Sequence, residues 1–234
     1  VNDSQWQIMQ RYYRDHPEAG GYVYVALRAP NDSWNGFYDT YVYPLVANLV
    51  RQFLVCGDVD PNKVFIMGYS HGGYGAYAIG PKIPDRFAAI HASAAAATDG
   101  ETTPKTLRNT IFTAMVGEKD TMFGRLDRNQ RFKESVDQLR AGRTDIYPVN
   151  VQVIPGNGHT GLPDRDKGPV LAEGRRELVF RRLNRTVEEQ TNRAQWMIVA
   201  EPAHQIARDA ANGSEQARGA RSFAGSRCHS PLEA

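Results

Sequence analysis

The chain has 234 residues, of which 41% are hydrophobic, 23% charged and 10% aromatic, with a formal net charge of +2. That length can bury roughly 70% of the unfolded surface, so a core needs no disulfide or metal staple. A near-neutral balance offers no basic field for nucleic acid, no run approaches the ~18 apolar residues of a membrane span, and two cysteines exclude a disulfide scaffold.

In chain order, Gln5–Arg14 predicts a helix with Trp6, Met9 and Tyr13 on one face. Tyr22–Leu27 is a short β-branched and aromatic run that reads as a buried strand. From Thr40 to Cys56, Val42, Leu45, Val46, Leu49, Phe53 and Leu54 recur at helical spacing. Asp39 or Thr40 caps that helix and Gly57 ends it, which makes Cys56 a buried small hydrophobe. Val64–Met67 predicts a second strand, followed by a small-residue helix from Gly72 to Ile79. Phe87–Ala92, Thr110–Val116 and Val149–Ile154 predict further strands, with a helix over Asn129–Arg140 between the last two. Strands alternating with helices predict an α/β fold whose mostly parallel sheet is covered on both faces.

Composition changes near residue 163: the first part holds 20 of the 23 aromatics, whereas the remainder is Arg-rich and from 209 to 226 shows no apolar period. We therefore read 1–185 as one domain and 186–234 as a weakly structured tail. The start at Val1 implies that residues precede it in the natural protein.

The most specific chemical signal is Gly68-Tyr69-Ser70-His71-Gly72, placed directly after a strand and opening a helix. A sharp strand-to-helix turn exposes Ser70 at the strand's C-terminal edge, and side chains at Gly68 or Gly72 are expected to collide with neighbours. The His71 backbone N–H then points, with the helix N-terminus, to where an oxyanion would form. A serine needs a base, and the base needs an orienting acid. Of six histidines, His71 starts the helix and cannot reach back, His91 lies inside a strand as a core residue, His16 lies in a polar turn, and His204 and His229 lie in the tail. His159 sits in a glycine-rich loop after the last strand, the edge where a parallel sheet presents ligand-binding groups. Asp120, three residues beyond Gly117 at a strand end, is the expected acid, ahead of Glu118. Trp34, Tyr69 and Tyr74 are candidates for the substrate-binding wall, as are the neighbouring Asn35, Phe37 and Tyr38. His159 with Asp164 and Asp166 fits no common zinc or calcium spacing, and no phosphate-cradling loop is present, so neither metal nor cofactor is expected.

Residues 5 to 163 resemble an α/β-hydrolase of the esterase and predicted-peptidase group, related to feruloyl-esterase-like, dienelactone-hydrolase-like and prolyl-oligopeptidase-like enzymes. The likeness is carried by the run from Asp58 to Ala76, by Pro84-Asp85-Arg86-Phe87-Ala88-Ala89-Ile90, by Gly117-Glu118-Lys119-Asp120 and by Gly158-His159. It implies Ser70 as nucleophile, Asp120 as acid and His159 as base, acting on a small-molecule ester or a peptide through an acyl-enzyme. It also implies a strand between Tyr22–Leu27 and Val64–Met67 that this chain lacks, and with it a second oxyanion donor. Those two strands must then close up, or stand ~10 Å apart, unless upstream residues fill the place. A helix over Arg175–Arg185 is expected to cover the last strand. A catalytically silent fragment or binding domain is the alternative reading, and oligomeric state and compartment do not follow from the sequence.

Overall fold

The computed structural model describes residues 2–13, 23–33, 36–57, 59–165 and 199–202. In chain order the elements are α1 (Asn2–Met9), β1 (Val23–Tyr24), α2 (Val42–Cys56), β2 (Val59–Tyr69), α3 (His71–Lys82), β3 (Ala89–Ser93), β4 (Ile111–Gly117), α4 (Arg125–Arg140), β5 (Val149–Ile154) and β6 (Val199–Pro202). The strands form one sheet in the order β1-β6-β2-β3-β4-β5. From β2 to β5 all neighbours are parallel, and their registers align Tyr69, Ser93, Met115 and Gln152 in one row across the sheet. The turns after β2, β4 and β5 therefore open on the same edge.

The period-2 alternation of β2 assigns its faces. Val64 and Ile66 join the main core with Tyr74, Ala76, Tyr77 and Ile79 of α3, while Phe65 and Met67 pack on the other face against Ala88 and Ala89. Burial on both faces is why this strand reads as an unbroken apolar run. Helix α4 is largely polar and buries Phe132 and Val136 against the same core. The Phe132 ring stands 5.4 Å from Tyr77 and 5.5 Å from Phe112, an edge-and-tilt cluster; burying such a ring stabilises by about 1.5–3 kcal/mol.

Several expectations are corrected here. The first strand is ladder-paired only at Val23–Tyr24. Helix α2 buries Val42, Val46 and Val50, so its inner stripe is rotated and Leu45 is exposed. Its cap position is Tyr41, with the Val42 N–H donating to the Asp39 carbonyl at 2.9 Å. Gly57 does end it, since a Cβ there would meet the Phe53 carbonyl oxygen at 2.6 Å. Cys56 is exposed at that end rather than buried. The place between β1 and β2 is neither closed up nor open along its whole length: β6 lies there, antiparallel to both neighbours, pairing Val23 with Ala200 and Phe65 with Val199. Apart from β6, residues 186–234 lie outside the described residues, as does the helix expected over Arg175–Arg185.

Candidate active site

The turn from β2 to α3 places Ser70 at φ +52°, ψ −114°, left-handed backbone that a residue with a side chain adopts only under strain, at a cost of about 1–3 kcal/mol. Two main-chain bonds hold it there: the Ser70 N–H donates to the Ser93 carbonyl at 2.8 Å, and the Tyr74 N–H donates to the Ser70 carbonyl at 3.0 Å. Close approach of strand and helix makes this turn possible. A Cβ on Gly68 would stand 2.0 Å from the Gly72 carbonyl oxygen, and one on Gly73 would stand 2.6 Å from the Ser93 carbonyl oxygen. Gly72, expected to be equally restricted, faces open space instead; the second tight contact falls one residue later, where α3 crosses the end of β3. His71 occupies the first position of α3, so its N–H lies at the positive end of the helix dipole.

Asp120 lies in the turn after β4, its N–H donating to the Gly117 carbonyl at 3.0 Å. The acid turn and the histidine loop are tied by their backbones, Glu118 N–H to Ile154 O at 3.0 Å and Lys119 N–H to Asn157 O at 2.8 Å. Glu118 itself accepts from the Gly156 N–H at 2.8 Å and so braces the loop from outside. Three side chains from distant parts of the chain meet across this edge. His159 Nδ1 is 2.8 Å from Asp120 Oδ2, and His159 Nε2 is 2.9 Å from Ser70 Oγ. An ionised carboxylate only accepts, so Nδ1 carries the proton and Nε2 presents its lone pair to the serine hydroxyl. The Asp120 side chain is 2% exposed against 38% for His159, which puts the acid in the interior and the base at the solvent edge.

The cleft beside Ser70 has a volume of about 740 Å³. Met9, Tyr12, Tyr24, Leu27, Phe37 and Met67 are among the side chains that line it, together with Ser70, His71 and His159. Tyr69 also lines it, donates its hydroxyl to the His159 carbonyl and has its own ionisation pushed up to about 12 by burial. Tyr74 does not belong to this wall: it is buried under α4, with Arg125 5.7 Å and Arg128 5.9 Å from its ring centre. Trp34 and Asn35 lie outside the described residues. Tyr38 bonds Thr98 at 2.8 Å.

The His71 ring packs 5.6 Å from Phe37 as part of the wall, and burial lowers its basicity. His91 is fully buried within hydrogen-bond distance of Thr113 (2.7 Å) and Ser93 (2.8 Å), a satisfied core histidine. His16, His204 and His229 lie outside the described residues. Among the described residues no three His, Cys, Asp or Glu side chains come together as a metal site, and no helix is long and apolar enough to cross a membrane.

Two buried acceptors carry partners that the sequence did not disclose. Asp120 Oδ1 accepts from Arg125 Nη1 at 2.7 Å, and both side chains are almost wholly buried. Asp164 is fully buried and accepts from the Tyr12 hydroxyl at 2.7 Å. Burial raises the Asp164 carboxyl above its ordinary value, and the Tyr12 hydrogen bond opposes that rise. Neither Arg125 nor Asp164 follows an apolar period or a motif, so only the three-dimensional arrangement reveals them.

No family model matches the chain, and no curated protein does. Solved structures do. The crystal structure of esterase PE8 matches with a TM-score of 0.44 at 17% identity, covering 63% of this chain and 67% of that one. A thermostable esterase matches with a TM-score of 0.47 at 19% identity, covering 63% of this chain and 42% of its own. LpqC, a poly(3-hydroxybutyrate) depolymerase from Bordetella parapertussis, matches with a TM-score of 0.41 at 20% identity, covering 56% of this chain and 54% of its own. The match thus spans about half the length of the latter two proteins. The chain's own architecture, parallel strands β2 to β5 with helices packed on them and a strained serine at the turn from β2 into α3, is an α/β-hydrolase-type fold.

Proposed function

We propose that the chain hydrolyses carboxylic esters through an acyl-enzyme on Ser70. The observation that carries this reading is the continuous hydrogen-bonded line Ser70 Oγ–His159 Nε2, His159 Nδ1–Asp120 Oδ2, at 2.9 and 2.8 Å. Ser70 Oγ attacks the carbonyl carbon while its proton passes to His159 Nε2. The resulting oxyanion faces the His71 N–H at the start of α3, where the helix dipole favours negative charge. Collapse expels the alcohol, which takes the proton back from Nε2, and leaves the acyl group on Ser70. Water then attacks the acyl carbon as His159 accepts its proton, and the second collapse releases the carboxylic acid and returns the proton to Ser70. Asp120 keeps the imidazole in the tautomer that each step needs. The apolar cleft supports an ester with a sizeable apolar portion, since residues such as Met9, Leu27, Phe37 and Met67 offer it dispersion contacts and few polar partners.

Hydrolysis of a p-nitrophenyl ester by the whole chain tests this. Ser70→Ala should lower kcat by about 10⁶-fold with the fold unchanged. Equal rates in the two proteins, or no hydrolysis in either, would favour a silent α/β domain.

A further inference from the structure

Arg125 holds a position that ester hydrolysis by Ser70, His159 and Asp120 does not by itself require. Its guanidinium is buried, and it donates through Nη1 to the Asp120 oxygen that does not face His159. Aromatic rings flank it on two sides, Phe123 at 5.1 Å and Tyr74 at 5.7 Å. Its own backbone is stapled down. Asn129 Nδ2 donates to the Arg125 carbonyl at 2.8 Å and to the Ala95 carbonyl at 2.7 Å, and Asn129 Oδ1 accepts from Tyr77 at 2.5 Å. A rigid line thus runs from the core through Asn129 and Arg125 to the carboxylate.

We propose that Arg125 is a positioning residue of the hydrolytic site, fixing Asp120 as a carboxylate with Oδ1 engaged and Oδ2 turned to His159. This rests on the function proposed above. Two physical consequences follow. The first concerns direction: the single bond from Nη1 occupies Oδ1 and opposes rotation about χ2, whereas a lone aspartate can rotate and lose the line to the imidazole. The second concerns charge. A buried carboxylate has lost its solvation, and Arg125 offsets that loss with a charge-assisted hydrogen bond. The groups facing Asp120 are Arg125 from α4, His159 from the loop after β5 and Tyr69 from the end of β2. Behind them stand Tyr74 of α3 and Arg128 of α4, and Glu118 and Lys119 belong to the turn itself. Arg125 is the one cation hydrogen-bonded to Asp120 among the described residues.

The test compares wild type, Arg125→Met and Arg125→Lys as whole chains. Rates of p-nitrophenyl acetate hydrolysis are measured over a range of substrate concentrations and normalised to the sites titrated by a fluorophosphonate. Arg125→Met should lower kcat per titrated site by about 100-fold with KM unchanged, the loss expected of a catalytic group misplaced by about 1 Å. Arg125→Lys, which keeps the charge on a differently shaped head group, should show a smaller loss in kcat at unchanged KM. A variant with fewer titratable sites, each with wild-type kcat and KM, would reduce Arg125 to a structural ion pair and overturn the proposal. If Arg125→Met does not fold, Arg125→Lys decides: reduced kcat per site at unchanged KM supports the role, and wild-type kcat overturns it. Absence of labelling at Ser70 in wild type would overturn the hydrolase reading itself, and the role of Arg125 with it.

Discussion

Gly117→Ala probes the coupling between the acid turn and the histidine loop. Gly117 ends β4, and a Cβ built on it would stand 2.2 Å from the Gly158 carbonyl oxygen and 2.4 Å from that of Asn157. Both obstacles are backbone, so no side-chain rotation relieves them. To restore a contact of about 3.2 Å the loop must retreat by about 1 Å from its present 2.2 Å. His159 is the next residue along and is carried with it. Its 2.9 Å contact with Ser70 Oγ then lengthens beyond hydrogen-bonding range. A displacement of that size costs about 10²-fold in rate, and the overpacking lowers stability by about 1–3 kcal/mol. Ester hydrolysis per titrated serine, measured beside thermal unfolding, separates the two effects. An alanine variant with wild-type turnover per site and wild-type melting would refute the reasoning, since the loop would have absorbed the methyl group without moving the imidazole.

Asp164→Asn should stabilise the fold at neutral pH. Burial raises the folded-state value of this carboxyl above its ordinary 3.8, so the stability it contributes is full below that value and is lost as pH rises through the folded one. Asparagine does not titrate, so the gain in melting temperature over wild type should be larger at pH 7 than at pH 3.5; a gain independent of pH would contradict this. In the cleft, lengthening the acyl chain of a p-nitrophenyl ester should raise kcat/KM by about fourfold per methylene until the space is filled, from about 0.8 kcal/mol per buried CH₂. A flat series would place the acyl group outside the wall formed by Met9, Leu27, Phe37 and Met67.

Much of this arrangement is legible in the chain because each of Ser70, Asp120 and His159 lies just past a strand that announces itself. β2 is apolar on both faces, β4 ends at Gly117 and β5 runs into Pro155-Gly156, and a parallel sheet sends all their C-terminal ends to one edge. What escapes sequence reading is polar or directional. Arg125 and Asn129 are buried charged and amide residues that extend α4 back beyond its apolar period, so that period predicts a helix starting four residues late. Tyr74 follows Ser70 by one helical turn, and its aromatic character does not say whether it turns to the cleft or to α4. The two glycines after Ser70 are indistinguishable by composition. Only the crossing of α3 over the end of β3 makes Gly73 the restricted one and leaves Gly72 free. β6 is beyond local reading for another reason: its pairing partners, Val23 and Phe65 among them, are more than a hundred residues away.

The central claim is that Ser70 is an activated nucleophile. Incubating the whole chain with a fluorophosphonate and mapping the adduct by peptide mass spectrometry tests it most directly. The account predicts a single phosphonylated site at Ser70, formed in wild type and absent in His159→Ala. An unmodified Ser70, or modification of Ser70 that proceeds equally well without the imidazole of His159, would contradict it.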